Sequence, residues 1–145
     1  MCNSPPSWAS HNRQFTTFGD IGEVNDVLAE MKKGDALTLI VQPAPFTYLH
    51  RVRLIDSAMN HGLGTIFAWP VAAKEGALIA YGPDYADLHR RAASDVDRIL
   101  KGTRPAELPV QEPTKFEQVI NLKTAKALGL FVPLSLFGGT DEVIE

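Results

Sequence analysis

Residues 77–130 read ALIAYGPDYADLHRRAASDVDRILKGTRPAELPVQEPTKFEQVINLKTAKALGL, and this stretch decides the predicted fold. Apolar runs alternate in it with a long amphipathic segment and with proline- or glycine-containing breaks, a pattern that indicates strand, helix and strand in turn. None of these pieces carries a catalytic motif. The predicted elements are a strand over 77–81, a break at Gly82-Pro83, a helix over 84–102, a connector over 103–114, a strand over 116–122 and a helix over 124–128.

The long predicted helix has one apolar and one charged face. Its apolar side chains recur at spacings of three and four residues, which is the period of an amphipathic α-helix. Asp84 is the predicted N-cap, and Gly102 follows the last helical residue. The charged face is expected to contact solvent. The apolar stripe consists of Tyr85, Leu88, Ala92, Val96 and Ile99.

The residues before this stretch continue the alternation of helices and strands. Asp20 is expected to cap a helix that ends at Gly34, and a second helix is expected from Phe46 to a stop at Gly62. Apolar runs over 36–41 and 65–69 are typical of buried parallel strands. The segment 70–76 is predicted to be irregular or a single turn. The whole pattern favours βαβ units and a parallel sheet with right-handed crossovers.

The sequence predicts a single α/β domain over residues 15–145. Residues 1–14 are polar and aperiodic, and they are expected to form a loose tail. Residues 15–18 (FTTF) are consistent with a short edge strand. A length of 145 residues suffices for one hydrophobic core, and 45% hydrophobic with 21% charged residues fits a globular domain.

Charge and cysteine content narrow the classes of partner. The net charge is −3 with acidic and basic residues interspersed, so nucleic acid is not an expected partner. Cys2 is the single cysteine, which excludes an internal disulfide and a CxxC site. The first fifteen residues lack a basic n-region and an apolar run, so no secretory signal is predicted, and the chain expressed as it stands would be cytoplasmic.

The sequence contains no motif that supports catalysis. Gly62-Leu63-Gly64 follows a helix and precedes a strand, which is the reverse of a dinucleotide-binding fingerprint. Neither a phosphate loop nor a nucleophile elbow is present, and the four histidines are not spaced to share a metal. We therefore predict no enzyme activity, no metal and no cofactor. Asp84 is better explained as a helix cap than as a catalytic carboxylate.

What remains is a binding edge at the carboxyl ends of the predicted strands, where open parallel sheets hold their ligands. This edge offers two aromatic rings, an amide and an acid, which suit a small amphiphilic solute. The alternative that Trp69 and Tyr81 are partly buried packing residues stays open. The candidate ligand-binding residues are Gln42, Pro43, Ala44, Trp69, Tyr81, Gly82 and Asp84.

Charge at this edge suggests the chemistry of the solute. The residues Phe46, Thr47 and Tyr48 begin the second predicted helix without an acidic side chain, which leaves its N-terminal end open to a carboxylate. Asp84 or Glu75 could face an ammonium group. A zwitterionic amino acid with an aromatic side chain is therefore the solute hypothesis.

Residues 81–130, YGPDYADLHRRAASDVDRILKGTRPAELPVQEPTKFEQVINLKTAKALGL, closely resemble the C-terminal part of the ABC transporter substrate-binding protein family. The resemblance continues weakly upstream to about Arg13 and downstream through the tail DEVIE. It covers most of this chain but less than half of a usual family member. Two departures stand out, since Pro70 and Lys74 occupy positions where family members often have arginine and an acid.

The resemblance implies the Rossmann-like, three-layer α/β/α lobe of a type I periplasmic binding protein. Family members catch a solute between two lobes and present it to an ABC permease outside the inner membrane, and some relatives are associated with uptake of tryptophan or other aromatic amino acids. The helix over 84–100 would belong to the other lobe. Without that lobe, it is expected to pack back on this domain or to form a homodimer through its apolar stripe.

The function implied by the resemblance is that of the solute-binding component of an ABC importer, represented by its C-terminal fragment. The resemblance also implies a periplasmic location. A stand-alone ligand-sensing or interaction domain is the alternative, and a small α/β enzyme ranks third because the sequence supplies no nucleophile, metal set or phosphate loop.

Overall fold

The computed structural model describes residues 19–145. The predicted tail over 1–14 and the predicted strand over 15–18 lie outside the described residues. The strands are β1 (Thr38–Ile40), β2 (Gly64–Phe67), β3 (Ile79–Pro83), β4 (Phe116–Asn121) and β5 (Glu142–Ile144). The α-helices are α1 (Val24–Lys33), α2 (Pro45–Leu49), α3 (Arg51–Asn60), α4 (Pro70–Lys74), α5 (Tyr85–Leu100) and α6 (Leu122–Ala127), and 3₁₀ turns span Ile21–Glu23, Pro105–Glu107 and Leu134–Gly139.

The five strands form one sheet in the order β1-β2-β3-β4-β5. β1, β2 and β3 are parallel, as the alternation of strands and helices predicts, and β5 is parallel to β4. β4 runs antiparallel to β3, with Pro83 opposite Phe116. The reason is that α5 leads away from the end of β3 and the connector after it leads back to the same place. The predicted α/β class with a mostly parallel sheet is confirmed.

One face of the sheet carries most of the core. Phe67, Ala80 and Val119 are in register across three strands, so their side chains share this face, and each is at most 2% exposed. Helices α1, α3 and α4 pack there. Burial of these apolar side chains is the dominant favourable contribution to folding. The largest core cluster contains Val24, Leu28, Met31, Val41, Leu54, Ile55, Ala58, Leu63, Phe67, Ala72 and Ala77.

Asn121 links the end of β4 to helix α4 by a side-chain hydrogen bond. Its side-chain amide donates a hydrogen bond to the carbonyl of Ala73 at 2.8 Å, and its side-chain oxygen accepts one from the backbone of Thr124 at 3.0 Å. The hydroxyl of Thr124 donates to the carbonyl of Gly76. Because Asn121 is only 5% exposed, these bonds satisfy polar atoms that water does not reach.

The opposite face of the sheet is covered unevenly. Ile120 in β4 is fully buried, and beside it Gln118 donates a side-chain hydrogen bond to the carbonyl of Leu136 in the last 3₁₀ turn. Exposure increases toward the other edge, where Ile40 of β1 is 76% exposed. The cover over this face therefore ends before the β1 edge in the described part of the chain.

Three local predictions are revised by the structure. The helix predicted from Phe46 is two helices, α2 and α3, because His50 takes a non-helical backbone conformation with φ −100° and ψ 13°. Within the segment 70–76, Pro70–Lys74 forms helix α4, which Pro70 opens at its first position. β5 is a strand that the sequence analysis did not predict.

Helix α5 extends away from the sheet after its first turns. Asp84 caps it as predicted, accepting a hydrogen bond from the backbone of Asp87 at 2.9 Å. Farther along the helix Val96 is 54% exposed and Leu100 is 82% exposed. The connector runs back beside it, and Gln111 donates a hydrogen bond to Asp95. The helix and its connector form an arm, which rests on the domain only at its base.

A buried carboxylate ties the base of this arm together. Asp87 lies within 2.8–3.4 Å of basic nitrogens from Arg90, Arg91 and Lys115. Burial opposes ionisation of Asp87, but hydrogen bonds and charges from these three side chains outweigh it and hold its pKa below the usual value. Since Lys115 directly precedes β4, the cluster joins the start of the outgoing helix to the end of the returning connector.

Candidate ligand-binding groove

The carboxyl ends of β1, β2 and β3 each lead directly into the N-terminus of a helix. These are α2, α4 and α5, and a groove of about 620 Å³ opens between them. Its size falls in the range of small-molecule sites, and its lining is mostly apolar with a few polar atoms, as is usual for such sites. We call it the aromatic groove. It is lined by Pro43, Ala44, Pro45, Tyr48, Trp69, Pro70, Val71, Tyr85 and His89.

Two aromatic rings form one wall of the groove. Tyr48 on α2 and Trp69 at the start of α4 meet edge to face, with ring centroids 5.0 Å apart and planes at 72°. Behind them Phe67 lies 6.3 Å from Trp69 and is itself buried in the core. Edge-to-face contact is a favoured geometry for aromatic pairs, and it leaves ring surface available to a third ring.

Arg51 contacts the Tyr48 ring of this wall. Its guanidinium lies 4.5 Å from the ring centroid of Tyr48 and donates a hydrogen bond to the carbonyl of the same residue. Two further nitrogens of Arg51 donate to the two carboxylate oxygens of Glu75, both at 2.7 Å. Hydrogen bonding to Glu75 raises the pKa of Arg51. Glu75 is thereby engaged and does not face the groove as a free acid.

Thr47 shapes the turn between β1 and α2. Its hydroxyl accepts a hydrogen bond from the backbone of Ala44 at 3.0 Å and donates one to the carbonyl of Gln42 at 2.8 Å. These hydrogen bonds tie the segment from Gln42 to Ala44 to the first turn of α2. Because α2 has only five residues, its dipole is a weaker attraction for a carboxylate than the longer predicted helix suggested.

A second groove of about 950 Å³ lies next to the first, along α1 and the outer edge of β1. We call it the β1-edge groove. Gln42 and Tyr81 line this groove, whereas Trp69 lines the aromatic groove. Pro43 and Ala44 line both, so they form the ridge between the two.

The predicted ligand-binding residues thus separate into three groups. Pro43, Ala44 and Trp69 meet in the aromatic groove. Gln42 and Tyr81 lie on the far side of the ridge, and Tyr81, which is 54% exposed, stacks on Phe116. Gly82 and Asp84 have structural positions at the base of the arm.

Gly82 is buried against the chain that follows β2. A Cβ at this position would overlap the carbonyl oxygen of Ala68 and would lie 2.9 Å from its carbonyl carbon. The absence of a side chain therefore allows β3 to lie close to that segment. Asp84 uses one carboxylate oxygen to cap α5, in agreement with the interpretation favoured from the sequence.

Three residues that line the groove, Tyr48, Tyr85 and His89, were not among the predicted ligand-binding residues. Tyr85 and His89 are four residues apart and therefore lie on one face of α5, although only Tyr85 belongs to the predicted apolar stripe. Tyr48 is 44% exposed. The break of the helix at His50 turns it toward the groove, and nothing in the periodicity indicates that break.

Residues 19–145 contain neither a candidate metal site nor a candidate membrane-spanning helix. No group of three or more histidine, cysteine, aspartate or glutamate side chains is placed to hold a metal ion there. Among the helices of the same residues, none combines the length and apolar character that a bilayer crossing requires.

A largely parallel sheet, with an aromatic-lined groove at the carboxyl ends of its strands, defines an α/β lobe. The family whose model matches residues 18–144 is described as ABC transporter substrate binding protein, and the chain belongs to that family. No curated protein matches the chain in sequence. The prediction that the chain is not an enzyme is confirmed by its family, since substrate-binding proteins bind solutes without transforming them.

Solved structures show the same fold. A complex of an "ABC domain" with L-Trp from Streptococcus pneumonia superposes with a TM-score of 0.78 at 21% identity. A conserved domain protein from Vibrio cholerae O1 biovar El Tor gives 0.75 at 22%, and the ligand-free, open form of CD0873, a substrate-binding protein with adhesive properties from Clostridium difficile, gives 0.59 at 21%. The matches cover 88–89% of this chain but only 43% of each of those chains. The chain therefore spans less than half the length of the structures that it resembles.

Proposed function

We propose that the chain is the C-terminal part of the solute-binding component of an ABC importer and that it holds a small solute in the aromatic groove. The observation that carries this proposal is the edge-to-face pair at the carboxyl ends of the strands, formed by the 44% exposed Tyr48 and the half-buried Trp69. The carboxyl edge is where open α/β sheets bind ligands. The family and the volume of the groove support the same role.

The proposed solute is an amino acid with an aromatic side chain. A planar ring can stack on the wall of Tyr48 and Trp69 while the rest of the groove gives it apolar contact. Asp84 is the acid proposed to face the ammonium group, since Glu75 is paired with Arg51. One oxygen of Asp84 caps α5, and the residue directly precedes Tyr85, which lines the groove. The L-Trp complex of the similar streptococcal structure is consistent with this solute class.

The groove is open on one side, and we propose that a second lobe closes over the solute. A ligand held on one side keeps much of its surface in water, and therefore gains only part of the binding free energy that enclosure provides. The similar structures are more than twice as long as the matched region. In this proposal residues 15–145 form one lobe, and the arm containing α5 reaches into the other.

The test is calorimetric titration of L-tryptophan, L-tyrosine and L-phenylalanine into a version of the protein that includes any coding sequence upstream of this chain. L-lysine and L-glutamate serve as solutes without a large ring. Trp69→Leu is expected to weaken binding of the aromatic amino acids by about two- to tenfold, because stacking on the indole is lost. Tyr81→Leu, in the neighbouring groove, is the matched control and should leave the affinity unchanged.

Two outcomes would refute the proposal. One is the absence of heat for all three aromatic amino acids. The other is equal loss of affinity in the Trp69 and Tyr81 variants, which would place the solute outside the aromatic groove.

We propose an ABC permease as the protein partner and the periplasm or the outer face of the membrane as the location. Both follow from the family, whose members work with such permeases and are typically periplasmic or extracellular. The charge of −3 gives no expectation of nucleic-acid binding.

When the chain is produced alone, we propose that it forms a homodimer through α5. Val96 and Ile99 are 54% and 39% exposed on the arm. In a dimer with two-fold symmetry, the apolar stripe of each copy would cover that of the other. Light scattering of the wild-type chain and of Val96→Glu tests this. We expect a dimer and a monomer respectively, and a wild-type monomer at micromolar concentration would contradict the proposal.

A further inference from the structure

Three side-chain contacts and one short helix form a closed ring around the wall of the aromatic groove. Tyr48 contacts Trp69, Trp69 directly precedes helix α4, Glu75 follows the end of that helix, and Arg51 joins Glu75 back to Tyr48. Every connection in the ring is either a direct side-chain contact or one short helix. The orientation of the wall is therefore coupled to a salt bridge that lies behind it.

Tyr48 has few other restraints. It lies on the five-residue helix α2, its side chain is 44% exposed, and the chain leaves helical geometry two residues later at His50. Helices this short have little stability of their own. The guanidinium of Arg51 supplies both a contact to the ring face and a hydrogen bond to the backbone of Tyr48.

Arg51 is itself held firmly. Its side chain is 21% exposed, and the planar fork of the guanidinium meets both oxygens of Glu75 at 2.7 Å. Bidentate pairing of this kind fixes orientation as well as distance, which a lysine cannot do. The plane of Arg51, and with it the contact to the Tyr48 ring, is thus set by Glu75 from the opposite end of α4.

We propose that Arg51 is a positioning residue, oriented by Glu75, that holds Tyr48 against Trp69 and keeps the aromatic wall assembled before a solute arrives. The proposal deepens the proposed function, because the wall is the surface on which the solute would stack. Arg51 does not need to touch the solute. Its effect on affinity is transmitted through Tyr48, which is preorganised for stacking.

The first experiment needs no solute. In a Trp8→Phe background Trp69 is the single tryptophan, so acrylamide quenching and near-UV circular dichroism report on its surroundings. Arg51→Met keeps the aliphatic stem and removes the charge and the fork. The equilibrium constant for contact of Tyr48 with Trp69 should fall about two- to fivefold, which is the effect expected for loss of one exposed cation–π contact. Trp69 should then be quenched more strongly.

Two controls define the contribution of the guanidinium. Arg53→Met removes an exposed charge from the same helix and should leave quenching unchanged. Arg51→Lys keeps a charge facing Glu75 but loses the fork, so it should give an intermediate value and also serves if the methionine variant does not fold.

The pair Arg51→Glu with Glu75→Arg separates positioning from simple stabilisation. Exchanging the charges restores an ion pair between α3 and α4, so the melting temperature should recover toward the wild-type value. The arginine now lies at position 75 and cannot occupy its place over Tyr48, so quenching of Trp69 should remain high. Recovery of wild-type quenching in the exchanged variant would overturn the proposal, because the ion pair alone would then suffice.

A second experiment adds L-tryptophan as the probe, titrated into the version with any upstream coding sequence. If the wild type binds, Arg51→Met should weaken binding about two- to fivefold. If the wild type does not bind but Arg51→Met still increases quenching, the proposed solute fails and the positioning role stands. Unchanged quenching together with unchanged affinity in Arg51→Met would overturn the positioning role whatever the solute.

Discussion

Replacing Gly82 by alanine tests the close approach between β3 and the segment after β2. The added Cβ would overlap the carbonyl oxygen of Ala68 and would lie 2.9 Å from its carbonyl carbon and 3.1 Å from its Cα. These are backbone atoms, which cannot rotate away as a flexible side chain could. β3 cannot move freely in the other direction either, because Gly82 is paired with Glu117 of β4.

The expected cost follows from the nature of the obstacle. Extra methyl groups in a packed interior destabilise proteins by about 1–3 kcal/mol. A clash with backbone belongs at the upper end, so we expect the free energy of unfolding to fall by about 3 kcal/mol. For a chain of this size, that corresponds to a decrease of about 6–12 °C in the melting temperature.

The assay is urea unfolding followed by far-UV circular dichroism, with the slope m compared between variants. Gly138→Ala is the matched control, since a Cβ there would have no atom within 4 Å. It should change stability by less than about 0.5 kcal/mol. If Gly82→Ala also remains within that limit, the close packing of β3 against Ala68 does not constrain the fold, and the reasoning is wrong.

Three further predictions concern polar side chains. Asp87→Asn should lower the melting temperature and reduce its dependence on pH in the acid range. The pKa of Asp87 is lower in the folded than in the unfolded protein. The ionised carboxylate therefore stabilises the fold above the unfolded-state pKa, near 4, and this stabilisation is lost as the pH falls through the lower folded-state pKa. Thermal unfolding at several pH values would show no difference between the proteins at low pH. Asn121→Ala should cost about 1–3 kcal/mol in urea unfolding, because two buried hydrogen bonds to backbone are broken. Thr47→Val keeps the shape of the side chain but loses the hydrogen bonds at the start of α2, and should cost about 1 kcal/mol by the same assay, with little change if the turn is held by other contacts.

The sequence predicted the order and kind of the main elements because their signals are local. Continuous apolar runs indicated β1, β2 and β3, and the cap at Asp84 with the three-and-four spacing indicated α5. The strand β5 escaped prediction because it has three residues and its place in the sheet depends on pairing with β4 far along the chain. Periodicity contains no information on such distant pairing.

The candidate site was predictable in position but not in composition. The carboxyl ends of parallel strands meet at one edge, so Pro43, Ala44 and Trp69 were expected together, and the structure brings them together. Tyr81 and Gln42 share the edge but face a different groove, because the ridge at Pro43 and Ala44 separates them. Which side of a ridge a side chain takes depends on the bend of the chain, and sequence spacing does not encode it.

Pro83 at the end of β3 lies directly opposite Phe116 at the start of β4, so the arm between them is an excursion that begins and ends at one point of the sheet. The ladder of strands is complete without it, and a short reverse turn could close the same gap. The arm is therefore an insertion between two paired strands, and the sheet does not depend on its length or direction. Relatives could lengthen, shorten or re-aim the part of the arm beyond the first turns of α5 without changing the sheet, whereas Tyr85 and His89 in those turns belong to the lining of the aromatic groove.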